Sequence, residues 1–305
     1  MRVVVLGATG FIGRALVGAL TGRGDDVLVL SRRPHLAARR FGGNVQATQW
    51  SPEYDPGWGE QIEGYDAVVN LAGEPLLGRR WSRRQKDLIL KSRIDSAAGL
   101  IKAIRRADHR PGALISASAV GYYGRRGDEE LAENSPPGDD FLAEVCRAWE
   151  KEVEDDDTES VRTVRIRIGM VLGRGGGALP RLVVPFRFYM GGRFGSGRQW
   201  VSWIHLKDLI GIILWALDNP QVEGPLNGTS PQPVNNREFT QTLGRVLNRP
   251  AAVPIPGFIL RLALGEAADV LLEGQRAVPK RVMELGYSFH YPSLAGALQE
   301  ILKSK

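Results

Sequence analysis

Residues 3 to 13 read VVVLGATGFIG, and they constrain the fold more than any other stretch of the chain. A short apolar run, Val3 to Leu6, stops at a glycine; glycines recur at residues 7, 10 and 13, and a helical apolar pattern runs from Phe11 to Leu20. A strand, a glycine turn and a helix in immediate succession are what a dinucleotide-binding unit requires. Gly7 permits the tight turn, Gly10 lets the backbone approach a pyrophosphate, and Gly13 lets helix and strand pack closely. Thr9, Phe11 and Ile12 complete the turn at a helix N-terminus, whose unpaired N–H groups suit phosphate oxygens.

Further β-branched runs follow: VLVL (Val27 to Leu30), AVVN (Ala67 to Asn70), ALISA (Ala113 to Ala117) and VRTVRIRI (Val161 to Ile168). Strands apolar on both faces fit a parallel sheet covered on both sides. Helical patterns at Phe11 to Leu20, Arg83 to Arg105 and FLAEVCRAWEKE (residues 141 to 152) lie between them, which predicts a doubly wound α/β sheet of the Rossmann type. The texture changes after Gly173, with GRGGG (Gly173 to Gly177), GGRFGSGRQW (Gly191 to Trp200) and RPAAVPIPG (Arg249 to Gly257). The division expected is a cofactor domain over 1–173, with some later segments returning to it, and a smaller cap of helices and loops over 174–305 that ends in a helix near Leu294 to Leu302. Loops between a rigid sheet and a cap are where substrates are usually held.

The second strand ends in Ser31-Arg32-Arg33, where an NAD-specific protein usually places an acid on the ribose 2′-hydroxyl. A carboxylate there would repel a 2′-phosphate, whereas two arginines and a serine offer it charge-assisted hydrogen bonds. The cofactor expected is therefore NADP(H). A later strand delivers NLAG, whose Leu71, Ala72 and Gly73 form a small-residue turn at the carboxyl edge, under the cofactor.

Composition narrows the partners. Forty Lys plus Arg against 34 Asp plus Glu leaves a formal charge of +6, but the basic residues are scattered and not interleaved with stacking aromatics, so no nucleic-acid groove is expected. One cysteine, Cys146, excludes an internal disulfide and suits a reducing, cytoplasmic compartment. The four histidines are dispersed, and no metal site is expected. Apolar runs such as Leu209 to Leu217 are far shorter than the roughly 20 residues that span a bilayer, so no membrane partner is expected. The N-terminal MRVVVLG is interrupted by glycines too soon to read as a signal peptide.

The glycine spacing and NLAG resemble the extended short-chain dehydrogenase/reductase superfamily. NLAGEPL, LISASAVGYYG, RIGMVLGRGGG, GSGRQWVSWIH and LLEGQRAVPKR resemble one branch, the atypical family related to nucleoside-diphosphate-sugar epimerases that carries an extra C-terminal domain. The resemblance implies a Ser or Thr at the end of the fifth strand and a Tyr-x-x-x-Lys on the next helix, where the phenol moves the substrate proton and the lysine lowers its pKa. Aligning Trp149-Glu150 with the family pattern puts Leu142 at the tyrosine and Cys146 at the lysine. At the strand end, counting back from Tyr123-Gly124 gives Ala119, and one extra loop residue gives Ser118, the choice favoured. Tyr122 and Tyr123 are the phenols nearest in sequence, so Ser118, Tyr122 and Tyr123 are the catalytic candidates, each with packing as the competing role.

In WVSWIHLKD the arginine that the resemblance implies for a sugar-nucleotide diphosphate falls on Val201, while Arg174, Arg187, Arg193 and Arg198 lie nearby and leave room for an anionic small molecule. His205, beside Trp203 and Ile204, reads as a packed residue. The reading is an NADP(H)-binding oxidoreductase or epimerase-like protein acting on a small-molecule substrate. Its rival is a protein that holds NADP(H) as a sensing or interaction ligand and catalyses nothing.

Overall fold

The structure, a computed structural model, describes residues 1–42, 45–51, 58–154 and 161–303. Seven strands form one parallel sheet: β1 (Arg2–Leu6), β2 (Asp26–Ser31), β3 (Val45–Gln49), β4 (Ala67–Asn70), β5 (Ala113–Ala119), β6 (Arg162–Ile168) and β7 (Gly224–Gly228). Their spatial order is β7-β6-β5-β4-β1-β2-β3, so the chain reverses direction across the sheet between β1 and β4. A crevice opens at such a switch point, outside the carboxyl ends of the strands.

The apolar runs read from the sequence are the inner strands, and Val3, Val4, Val5 and Leu6 are all 0% exposed because both faces are covered. Two strands were not among those runs, and each forms an edge of the sheet. β3, VQATQ, is mostly polar and partly exposed, and β7, GPLNG, carries the proline and glycines that only an edge tolerates.

On one face, helix α1 (Phe11–Gly22) packs Leu16, Val17 and Leu20 with Leu209, Ile212 and Ile213 of a later helix, α6 (Leu206–Asp218). The other face is covered by α3 (Arg83–Arg106) and α4 (Phe141–Val153), through Leu100, Ile104 and Trp149. Both helices start at a side-chain cap: Ser82 Oγ accepts from the Gln85 N–H at 3.2 Å, and Asp140 Oδ1 from the Ala143 N–H at 2.9 Å. A shorter helix, α2 (Pro34–Phe41), follows β2.

Residues after 173 divide between two layers. α6 and β7 join the sheet, while α5 (Leu179–Arg187), α7 (Asn236–Leu247), α8 (Gly257–Leu264) and α9 (Leu294–Lys303) belong to the cap. A separate core holds the cap, with Phe186, Phe239, Leu243 and Leu298 around Trp203. Among the described residues, no helix is long and apolar enough to cross a membrane, and no group of three metal-ligating side chains converges.

Candidate active site

The glycine turn sits at the carboxyl end of β1, and each glycine answers to a different neighbour. Gly7 has φ +75°, and a Cβ there would lie 2.5 Å from the Leu71 carbonyl oxygen, because the NLAG turn crosses directly beneath it. That crossing is fixed by the Leu71 N–H donating to the Leu6 carbonyl at 3.0 Å, and by the Ala72 N–H donating to Asn70 Oδ1 at 3.1 Å. At Gly13, a Cβ would strike the Gly7 carbonyl and the Ala8 backbone. Gly10 differs: a Cβ there would meet only the Gly7 carbonyl oxygen, at 3.2 Å. The protein itself therefore leaves the space over Gly10 open, as a pyrophosphate would need. No side chain caps the first turn of α1, so its N–H groups face that space, and the residues present fit the phosphates of a dinucleotide.

The GRGGG stretch closes this cradle from the cap side, a role its sequence did not disclose. A Cβ on Gly173 or Gly177 would come within 2.9 Å of the Phe11 ring, and Arg14 Nη2 donates to the Gly175 carbonyl at 3.2 Å. Thr9 is exposed, while Phe11 and Ile12 are half-buried. At the end of β2, beside β1 in register, Ser31 Oγ accepts from the Arg33 N–H at 3.1 Å. Arg32 and Arg33 are exposed, and among the described residues neither pairs with a carboxylate.

A cavity of about 1180 Å³ lies between the sheet edge and the cap. Its sheet-side wall is Ala119, Val120 and Gly121, with Leu142, Val145 and Cys146 of α4. The two helix positions assigned to the tyrosine and lysine thus face the cavity, filled by a leucine and a thiol. Leu142 is half-buried rather than a full core residue. Burial pushes the Cys146 thiol up to about 12, with Glu150 adding to the shift and Arg93 opposing it, so the sulfur stays protonated at neutral pH.

Ser118, Tyr122 and Tyr123 lie on the other side of that wall. Ser118 Oγ, 3% exposed, donates to Glu150 Oε1 at 2.6 Å. Glu150 is held in a two-pronged pair by Arg167, Nε to Oε1 at 2.9 Å and Nη2 to Oε2 at 2.8 Å. Arg167 Nη1 also donates to the Tyr123 hydroxyl at 3.1 Å, and that hydroxyl donates to Asn227 Oδ1 at 2.7 Å. The Tyr122 ring lies 3.4 Å from the same guanidinium carbon. Tyr123 is fully buried, and burial raises its phenol to about 12 against the pull of Arg167. The structure thus brings the three candidates together around a buried ion pair, and none of them is among the cavity-lining residues, where Ala119 stands at the strand end.

The four cap arginines singled out in the sequence stand away from the cavity. Val201 lines the cavity, but Arg174, Arg187, Arg193 and Arg198 do not. Arg174 instead donates through Nε to the Ile301 carbonyl at 2.8 Å, near the end of α9. His205 is packed, as its neighbours implied: Nδ1 accepts from the Lys207 N–H at 3.1 Å, Nε2 lies 3.1 Å from Glu300, and its ring stacks on Tyr291 at 4.0 Å. Burial holds its pKa below the usual 6.5, with Glu300 opposing.

The residue that sequence reasoning missed is Arg93 of α3, which reaches the cavity from the Rossmann side. It continues the buried stripe Gln85, Ile89, Ala97, Leu100, Ile104, and an arginine interrupting such a stripe was the available signal.

Comparison with known proteins agrees with this architecture over nearly the whole chain. Residues 3–227 match the NAD dependent epimerase/dehydratase family, and residues 255–301 match a domain of unknown function, DUF1731. The chain is 44% identical over 310 residues to the epimerase family protein SDR39U1 homolog, chloroplastic, of Arabidopsis thaliana, covering 99% of this chain and 87% of the relative. It is 38% identical to the epimerase family protein YfhF of Bacillus subtilis, covering 100% and 99%. A crystal structure of human epimerase family protein SDR39U1 with NADPH superposes with a TM-score of 0.88 at 39% identity, covering 99% of each chain. MoeE5 in complex with UDP-glucose and NAD shares the fold, with a TM-score of 0.78 at 21% identity over 99% and 97% of the two chains.

Proposed function

The chain belongs to the NAD dependent epimerase/dehydratase family, and from that premise we propose that it is an NADP(H)-dependent oxidoreductase acting on a small molecule held in the cavity beside Cys146. The observation that carries this reading is the cavity itself: about 1180 Å³ of mostly apolar space adjoining an intact glycine cradle. NADPH, present in the human relative's crystal structure, would supply a hydride there. Gly7, Gly10, Gly13 and the first turn of α1 would hold its pyrophosphate, and Ser31, Arg32 and Arg33 its 2′-phosphate. Leu71, Ala72 and Gly73 would pass beneath it. A reducing, cytoplasmic compartment suits the single cysteine.

The walls of the cavity select the chemistry. Leu142 cannot take a proton, and the Cys146 thiol is too weak an acid to exchange one readily at neutral pH. Ser118 and Tyr123 are committed to Glu150 and Asn227, and we assign them and Tyr122 to holding the sheet edge rather than to proton transfer. Oxidation of a sugar hydroxyl needs a general base, which typically contributes about 10²- to 10⁴-fold. Hydride transfer to an acceptor that delocalises its own product charge does not, so quinones and conjugated carbonyl compounds head the assay panel. The test is NADPH consumption with that panel alongside UDP-glucose. The expected result is turnover of a conjugated acceptor and no appreciable conversion to UDP-galactose; robust epimerisation would refute the reading.

The same lack of an acid-base pair favours one second reading, a protein that binds NADP(H) and signals without turnover. NADPH binding with no oxidation across the panel would select it.

A further inference from the structure

Arg93 is a cation at the cavity wall whose neighbours leave it undercompensated. Among the described residues its one hydrogen bond runs from Nη1 to the Ile89 carbonyl, within its own helix, at 2.9 Å. Its guanidinium carbon lies 5.2 Å from the centre of the buried Trp149 ring, and 3.3 Å from where a Cβ on Gly73 would be. Glycine at the end of NLAG therefore makes room for the guanidinium. No carboxylate lies within ion-pair distance of it among the described residues; Glu74 acts on it only through space. Desolvation pulls its pKa below the ordinary guanidinium value, which means that the charge is held at a cost that a matched anion would offset.

The other arginines at this cavity are differently placed. Arg125 pairs with Asp269 and Glu273, and Arg80 donates to the Leu262 and Ala263 carbonyls of α8. Arg79 and Arg181 are exposed to solvent. Arg93 alone among these five sits between Gly73, at the end of the NLAG turn, and Cys146. Its Nε and Nη2 make no hydrogen bond among the described residues, and they form a planar edge suited to two parallel bonds.

We propose that Arg93 binds the carboxylate of the substrate, and that this cavity takes small apolar monocarboxylates. One guanidinium among Val120, Leu142 and Val145 balances one negative charge. A phosphate dianion or a nucleoside diphosphate would bring further charge beside Val120, Leu142 and Val145, while of the other four arginines Arg125 is ion-paired, Arg80 is held by the α8 carbonyls, and Arg79 and Arg181 are exposed to solvent. The proposal rests on the oxidoreductase reading for its substrate role, but binding can be measured without turnover, so the two can fail separately.

The experiment is isothermal titration of the full chain, with and without NADPH, using 4-phenylbutyrate and its neutral isostere 4-phenylbutyramide. The acid should bind at least about tenfold more tightly than the amide. Arg93→Gln should abolish that preference while changing NADPH affinity less than about threefold, and Arg93→Lys should retain part of it as a point charge. Equal affinities for acid and amide in the wild type, or no acid binding at about 10 mM, would overturn the proposal even if the variants fail to fold. So would an acid preference that survives Arg93→Gln, or a loss of NADPH affinity beyond about tenfold in that variant, which would assign the guanidinium to the cofactor.

Discussion

Gly7 and Gly10 are three residues apart and are glycine for opposite reasons, which makes them separable by substitution. At Gly7 the constraint is internal: positive φ and the Leu71 carbonyl at 2.5 Å mean that Gly7→Ala should destabilise the fold, by more than about 2 kcal/mol in urea unfolding. At Gly10 the protein leaves the space open, so Gly10→Val should fold nearly normally and lose NADPH binding; a folded variant that keeps its affinity would place the phosphates elsewhere. Arg32 is exposed and, among the described residues, without a carboxylate partner, so Arg32→Ala should leave stability unchanged. It should erase most of an NADPH preference over NADH worth about 1.5 to 3 kcal/mol, read by fluorescence titration. The strand–glycine-turn–helix unit was legible because it is local: strand, glycines, helix and the next strand's end fall within 33 residues. Arg93 was not, because its importance comes from Gly73 and Trp149, which meet it only after α3 and α4 pack.

At the scale of elements, α4 joins two faces with different duties. Its apolar pattern was readable, since it follows from residue type at fixed spacing. What could not be read was which way the end of β5 faces. Ser118 turns to Glu150 because Arg167, its register partner on the neighbouring strand β6, needs that carboxylate, and an ion pair with residues 3% and 5% exposed dictates the orientation of everything around it. Removing one partner strands the other charge, so Glu150→Ala should cost about 3 to 5 kcal/mol. Leu142→Ala, at the half-buried cavity wall, should cost less, under about 2 kcal/mol, and leave NADPH affinity largely intact. Denaturant unfolding of the two variants checks the order; a Leu142→Ala loss equal to that of Glu150→Ala would mean that the helix is packed alike on both faces.

The whole molecule depends on keeping its cap seated on its sheet, because the cavity exists only between them. Much of the seating is polar and converges on the start of α6. Asp208 accepts from the His290 and Tyr291 N–H groups at 2.8 and 2.9 Å, and Glu300 of α9 meets both His205 and Lys207. The geometry assigns His205 its neutral form with the proton on Nε2, since Nδ1 must accept from the Lys207 N–H that it caps. Protonation would turn Nδ1 into a donor facing a donor. Burial accordingly lowers the His205 pKa in the folded state, with Glu300 and Asp208 opposing and Lys207 reinforcing. Above about pH 6.5 the ring is neutral in both folded and unfolded chains, and its contribution is complete. Below that, the unfolded chain takes up the proton first, so stability falls until the lower folded pKa is reached. Glu300, whose pKa is lowered chiefly by Lys207, acts in the same direction at lower pH: its contribution is present above about 4.5 and is lost as pH falls through its folded value. The melting temperature should therefore be flat from about pH 7.5 to about 6.5 and then drop by a few degrees before Glu300 titrates. His205→Gln should start lower and lose that first drop, keeping only the carboxylate step. A wild-type melting temperature that rises on acidification from pH 7 to 5.5 would mean that His205 is charged in the folded protein, and that an ion pair with Glu300, rather than a neutral capping ring, holds the cap in place.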